Sequence, residues 1–264
     1  MKIYILRENQ MQLLKLISRK RFGNIIRILF IWILLIHSNR LFPRTIYMSA
    51  SGDDSNSGLT QADPILTFNR AKVICQKSSD SSFEILLKGG DTFTQFSPDT
   101  ISLYGDDIST YAFIWDINKA LTISTYGSDE MAHLYGAGYY LHSGGPERVI
   151  LIVEPSTKDI LIENLFFEMW QNSTIQTHET EDVHIRNIKI DKIGPRYFPE
   201  EQTEGVYCDG VLYPKNSTRI LIEDVMMSNC HNNAGSLGAL HGFYCTRLNH
   251  SEIRNCFLTH ISGS

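Results

Sequence analysis

What the chain does not contain narrows its function before anything that it does contain. Across 264 residues there is no Gly-x-Ser-x-Gly elbow for a nucleophile, no glycine-rich phosphate loop and no zinc-ligand spacing of Cys and His. Lysine and arginine number 24 against 29 aspartates and glutamates, a net charge of −5 without a basic stripe. Nucleic acid is therefore not an expected partner. No apolar run reaches the roughly 20 residues that a bilayer span requires. The run Ile28–Ile36 has nine, and including Ile25 and Ile26 extends it only by accepting Arg27.

That short run belongs to a distinct leader. Lys15, Arg19, Lys20, Arg21 and Arg27 precede it, and the polar His37, Ser38, Asn39 and Arg40 follow. A basic region before a short apolar core reads as a secretory signal, and its length makes Met11 an alternative start. No small-x-small triplet follows the core, so an uncleaved membrane anchor and a buried helix stand as alternatives. Either export reading places the body outside the cytoplasm: secreted, periplasmic or on the cell surface, with membrane contact through the leader. Residues 1–42 are assigned to the leader and 43–264 to one domain.

The last hundred residues write nearly the same nine letters four times, as Asp159–Phe167, Asp182–Ile190, Arg219–Met227 and His250–Leu258. Each copy runs through alternating apolar residues to Ile, then a charged residue, then Asn or Asp, then a second apolar run. The anchors Ile162, Ile185, Ile222 and Ile253 are 23, 37 and 31 residues apart. A minimum period near 23 with variable insertions describes a solenoid whose insertions leave as loops. Period-2 patterning makes the unit a strand. Asn164, Asn187, Asp224 and Asn255 suit a sharp bend, because these side chains tolerate the left-handed conformation. The four Ile are expected in one inward ladder, with Ile160, Val183 and Ile220 beside them.

Upstream, Thr45–Gly58 reads as a strand followed by a Ser/Gly/Asp/Asn loop. A helix is expected over 64–76, with Asp63 as N-cap and Pro64 as first residue. Its stripe of Ile65, Phe68, Ala71 or Lys72, and Cys75 would cover the exposed first rung. Phe83–Leu87 and Leu121–Gly127 read as strands, the first closed by a turn at Lys88-Gly-Gly-Asp91.

The segment Ile46–Gly58, the helix after it, the Lys88–Asp91 turn, the Ser124–Gly127 strand end and the Ile-x-Asn/Asp units together resemble the pectin-lyase-like superfamily. The resemblance covers roughly residues 45–264. It implies an all-β fold, a right-handed parallel β-helix (a single-stranded solenoid) with an N-terminal capping helix. It does not select among lyase, hydrolase, epimerase and adhesin. The chain ends partway through a rung without a cap, so the β-helix reads as C-terminally incomplete.

In this superfamily function usually lies on the outer face of one strand column. Aligning Thr174–His178, Gly205–Gly210 and Gly242–Thr246 makes Ile175, Val206 and Phe243 inward, with Thr177, Cys208 and Cys245. Gln176, Tyr207 and Tyr244 then form one outward column, and His178, Asp209 and Thr246 the next. Stacked tyrosines beside polar groups suit a saccharide, since ring faces meet pyranose C–H groups and polar neighbours fix hydroxyls. The same tyrosines would equally cover a solvent-facing sheet. Asp209 and His178 are the candidate catalytic groups, and Tyr207, Tyr244, Gln176 and His241 the candidate substrate contacts. His241 reads equally as a turn residue.

The lyases that the chain resembles commonly use Arg or Lys as base beside acidic Ca2+ ligands. No Arg or Lys falls in the aligned outward columns, so the base is not identified and Ca2+ stays an implication of the resemblance. A hydrolase needs two carboxylates about 5 to 9.5 Å apart, and Asp209 with Glu179 is the nearest such pair. The Asn-Thr-Asp and Asp-Asp pattern of polygalacturonases is not matched, Tyr207-Cys-Asp209 retaining a single acid. The reading is an exported carbohydrate-active protein that binds or cleaves an extracellular polysaccharide, pectate-lyase-like. The alternatives are a non-catalytic surface or adhesion module and a truncated inactive fragment. Cys208 and Cys245 are expected on neighbouring rungs as a reduced inward pair, with Cys75, Cys230 and Cys256 unpaired.

Overall fold

A computed structural model describes residues 42–96, 99–102, 108–136, 148–153, 159–194, 210–231 and 240–262, with backbone alone for 99–102 and 108–109. Residues 1–41 of the expected leader lie outside the described residues. Arg44–Ser264 form a unit apart from Met1–Pro43. No described helix is long and apolar enough to cross a membrane.

The described residues are mostly strands in two sheets, with one helix. The first sheet runs β1 (Arg44–Met48), β2 (Ser82–Lys88), β6 (Ala120–Tyr126), β9 (Ile160–Glu168), β11 (Glu181–Asp191), β13 (Thr218–His231) and β15 (Glu252–Arg254). Beside that path lie β3 (Thr92–Phe93), β7 (Ala132–Tyr135) and β16 (Phe257–Ser262). The second sheet runs β4 (Asp99–Ser102), β5 (Ile108–Trp115), β8 (Arg148–Val153), β10 (Ile175–His178), β12 (Gly210–Lys215) and β14 (His241–Phe243). Every described pair is parallel except β4 with β5. Parallel strands buried on both faces read as continuous apolar runs. Val149–Ile152 of β8 is one, with all four residues buried.

The repeats stack in the register that their sequence predicts. Ile162 pairs with Ile185, Ile185 with Ile222 and Ile222 with Ile253. Ile160, Val183 and Ile220 form the neighbouring ladder. The first three anchor Ile are no more than 1% exposed, whereas Ile253, on the last described strand of the path, is 42% exposed. At the bend, Asn164, Asn187, Asp224 and Asn255 all take left-handed backbone, with φ of 61°, 49°, 54° and 53°. The Asn187 amide donates to the Asn164 side-chain oxygen at 2.6 Å, so the bend is stacked by side chains as well as by backbone.

Helix α1 (Phe68–Lys77) begins four residues later than expected. Asp63 is occupied elsewhere, accepting the Ser57 amide at 3.0 Å and its hydroxyl at 2.6 Å. Ile65 is extended and bridges Met48 beside β1. The Asp54 carboxylate accepts the Leu66 and Thr67 amides, each at 2.9 Å, and the Thr67 hydroxyl at 2.6 Å. Thr67 is left as N-cap, its hydroxyl accepting the Arg70 amide. The expected stripe survives this shift: Phe68, Ala71, Lys72 and Cys75 are buried, and Phe68 packs on Phe113 of β5 at 4.9 Å between ring centroids.

Cys75, Cys230, Cys245 and Cys256 are free thiols. Burial pushes the thiols of Cys75 and Cys230 up to about 12, so both stay protonated and inert as nucleophiles.

The ladder makes a graded stability prediction. Ile185→Ala should cost about 2–5 kcal/mol in urea unfolding, since it opens a cavity between two neighbouring levels. Ile253→Ala should cost well under that, because its side chain already meets water. Equal losses at the two positions would contradict the ladder.

Candidate outer-face site on the second sheet

Two outward columns are expected across the second sheet, and the observed register differs from that alignment. Ile175 pairs with Leu212 rather than Val206, Gln176 with Tyr213, Thr177 with Pro214 and His178 with Lys215. Leu212 in turn pairs with Phe243, and Lys215 bridges Thr246. The column expected as Gln176, Tyr207, Tyr244 is therefore Gln176, Tyr213, Tyr244. The column expected as His178, Asp209, Thr246 is His178, Lys215, Thr246. Tyr207, Cys208 and Asp209 lie outside the described residues. Pro214, not Cys208, stands beside Cys245, whose side chain is exposed rather than buried in a stacked pair.

The correction changes the chemistry of the face. The absence of a basic residue from these columns does not hold, because Lys215 takes the level beside His178. Arg148 of β8 extends the face on the other side, its guanidinium 5.7 Å from the Tyr111 ring centroid. The Tyr111 hydroxyl donates to Gln176 Oε1 at 2.7 Å across the buried part of this face. Gln176 is 3% exposed, so it holds Tyr111 and does not face water as expected. Tyr213 is nearly buried as well, with the Lys215 ammonium 5.8 Å from its ring centroid.

The open end of the face is aromatic. Tyr244 is 37% exposed and lies 4.8 Å from Tyr213 and 5.1 Å from His241 between ring centroids. The His241 ring is stacked on Tyr244 at an interplanar angle of 20°, and His241 is itself exposed. His241 is thus the first residue of β14 and part of the platform rather than a turn residue. The tyrosine beside Tyr244 is Tyr213 rather than the expected Tyr207, and the two rings are tilted by 40°.

His178 ends β10 and is buried. Its Nε2 lies 3.8 Å from Glu179 Oε1 and 3.4 Å from Asn216 Nδ2. Burial holds the imidazole below its ordinary value, Glu179 opposes that shift, and the Lys215 ammonium adds to it. A neutral imidazole beside a carboxylate can accept a proton near pH 7. Among the described residues no group of three His, Cys, Asp or Glu is arranged to hold a metal ion.

The residues that the alignment missed carried a signal. Seven positions separate His178 from Ile185, Lys215 from Ile222 and Thr246 from Ile253. Thirteen separate Asp209 from Ile222, so a constant distance to the anchor selects Lys215. The likeness of Gly205-Val-Tyr-Cys to Gly242-Phe-Tyr-Cys favoured the wrong segment, and Pro214 disguised the right one, since proline argues against an inner strand.

No protein-family model matches the sequence, and no curated protein matches it. Solved structures do match in fold. A GH136 lacto-N-biosidase from Eubacterium ramulus aligns with a TM-score of 0.50 at 14% identity, over 88% of this chain and 44% of its own. A rhamnogalacturonan lyase aligns with a TM-score of 0.54 at 12% identity, over 83% of this chain and 54% of its own. The chain spans about half the length of these structures, and at such identities the likeness is one of fold.

The electrostatics of His178 can be tested by NMR titration of its ring protons. Its midpoint should fall below the usual value of about 6.5. Lys215→Met should raise the midpoint and Glu179→Gln should lower it further. With a folded midpoint below the unfolded one, the contribution is fully present above the unfolded midpoint and is lost as pH falls from there through the folded midpoint. His178→Gln should therefore flatten the acid limb of the stability curve over that window.

Proposed function

We propose that the chain is a right-handed parallel β-helix of the pectin-lyase-like kind, exported by its leader, that binds an extracellular polysaccharide. The observation that carries the binding is the exposed Tyr244, with the exposed His241 ring stacked on it at 5.1 Å and Tyr213 4.8 Å away. Rings held by such neighbours lose little freedom on binding, and their exposed surface meets pyranose C–H groups. Lys215 and His178, one column over, supply polar contacts for hydroxyls or a carboxylate. The fold reading is supported by the way the chain passes between sheets: β8, β10, β12 and β14 of the second alternate with β9, β11, β13 and β15 of the first. The two matched structures bear the names of a glycan hydrolase and a polysaccharide lyase, which agrees with a saccharide ligand.

For cleavage, His178 is the proposed proton acceptor, with Lys215 beside it to meet a substrate carboxylate. Asp209, outside the described residues, is the proposed acid partner and Tyr207, also outside them, a proposed contact, while buried Gln176 serves only to hold Tyr111. Ca2+ has no ligand set among the described residues and no step is assigned to it. The second reading, a surface module that binds without cleaving, is favoured by the character of the described platform, which is aromatic and cationic rather than a facing pair of carboxylates.

Affinity electrophoresis against a polysaccharide panel tests the proposal. Tyr244→Ala should weaken retention by roughly three- to tenfold, the share of one stacked ring. Unchanged retention would remove this face from the binding site. Release of unsaturated uronate or reducing ends, abolished by His178→Gln with retention preserved, would establish cleavage over simple binding.

A further inference from the structure

The outer face of the first sheet carries two columns that the proposal above does not use. His133, Phe166, Lys189, Met226 and Phe257 are register partners on β7, β9, β11, β13 and β16. Two residues further along the same strands, Tyr135, Glu168, Asp191, Ser228 and Thr259 pair in the same order. The first column has three apolar members, Phe166, Met226 and Phe257, and its rings are stacked where His133 meets Phe166. The His133 ring lies on Phe166 at 4.4 Å and 13°, and the Lys189 ammonium is 4.4 Å from the Phe166 centroid. Met226 is 52% exposed and Phe257 62% exposed.

The exposure of Met226 differs in kind from that of Ile253. Ile253 belongs to an inward ladder and is uncovered at the last described strand. Met226 sits on β13 with β11 on one side and β16 on the other, and it is outward with both neighbours in place. Two large apolar side chains kept outward on adjacent strands form a continuous apolar surface on this face.

The second column says what kind. The Glu168 carboxylate is fixed by Lys192 at 2.5 Å and lies 3.1 Å from His133 Nε2. Asp191 accepts from the Ser228 hydroxyl at 2.7 Å and the Asn229 amide at 2.8 Å. Both carboxylates are thus oriented in advance, and hydroxyls of Tyr135, Ser228 and Thr259 continue the row. Two carboxylates matched by the ammoniums of Lys189 and Lys192 leave the face without net charge. A stripe carrying Phe166, Met226 and Phe257 beside a row of oriented acceptors, with levels about 4.8 Å apart, suits an extended molecule with C–H faces and hydroxyl edges.

We infer that this face of the first sheet is a second saccharide platform, separate from the Tyr244 site, and that it takes a neutral oligosaccharide. C–H faces of successive pyranoses rest on Met226, Phe257 and the edge of Phe166, and their hydroxyls donate to Asp191 and Glu168. The absence of net charge gives a uronate chain no advantage here.

Isothermal titration of the full chain with cellohexaose, mannohexaose and xylohexaose, and with hexagalacturonate as the charged comparison, tests the inference. The expected result is binding of at least one neutral hexasaccharide, weakened fivefold or more by Phe257→Ala and, separately, by Met226→Ser. Both side chains are largely exposed, so the fold should survive either change. Tyr244→Ala should leave this binding unchanged, which separates it from the other face. No neutral binding, binding that follows Tyr244→Ala, or equal binding of hexagalacturonate on the same residues would overturn it. So would a dimer in sedimentation that Phe257→Ala dissolves, since the face would then close on a second copy.

Discussion

Parallel strands can share hydrogen bonds level after level only if every level bends at the same places, and this in-register bending governs the rest of the structure. Around each repeat the left-handed residues recur at fixed offsets. Asp159, Asp182, Arg219 and His250 open the copies, Asn164, Asn187, Asp224 and Asn255 follow five residues on, and Met169, Lys192, Asn229 and His260 five further. A fourth series at Glu179, Asn216 and Arg247 ends the strands of the second sheet. Left-handed backbone costs an ordinary L-residue roughly 1–2 kcal/mol. Methionine, arginine and lysine have no local means of recovering that cost. They adopt the bend because leaving it would break the hydrogen bonds and the Ile ladder on both neighbouring levels.

The same register dictates where charges can stand. Equivalent outward positions on adjacent levels lie about 4.8 Å apart, and like charges there repel. The residue after each anchor Ile alternates accordingly: Glu163, Arg186, Glu223, Arg254. Arg186 Nε donates to Glu163 at 2.6 Å and Arg254 Nε to Glu223 at 2.7 Å, while the His184 ring meets Glu223 at 2.7 Å. The Arg254 bond, with His184 second, holds the Glu223 carboxyl below its usual range. Exposed pairs of this kind contribute little stability each. Their effect is on register: a strand slipped by one level would set Glu against Glu and Arg against Arg.

The ladder was legible because its signal is local and repeated. Ile, a charged residue and Asn or Asp in sequence state the strand, its alternation and its bend within three letters. The left-handed bends at Met169, Arg219 and His260 were not legible, since nothing in those side chains asks for that conformation. The second sheet was harder again. Its strands are short, its insertions vary, and the Pro214 strand looks less like a strand than the Tyr207 segment does. The helix start was missed for a different reason. Asp63 followed by Pro64 is a sound local start, but Asp54, nine residues earlier, gathers the Leu66 and Thr67 donors and keeps the intervening chain extended against β1.

Function in such a molecule is confined by the division between inward and outward columns. An inward position must match its neighbours above and below, so Ile162, Ile185 and Ile222 repeat while little else there is free to vary. Outward positions answer only to solvent, to charge and to ligand. Gln176, Tyr213 and Tyr244 occupy one column with three different exposures, and His178, Lys215 and Thr246 occupy the next with three different chemistries. On the first sheet the first outward half-strand spends its positions on the alternating Glu and Arg that fix register. The second half-strand carries no such alternation: Phe166, Lys189, Met226 and Phe257 do little for register, and two of them expose apolar surface at a cost in solvation. A column that neither fixes register nor hides from water is free to serve recognition, and that is the physical ground for proposing a ligand on the outer face of each sheet rather than in the core between them.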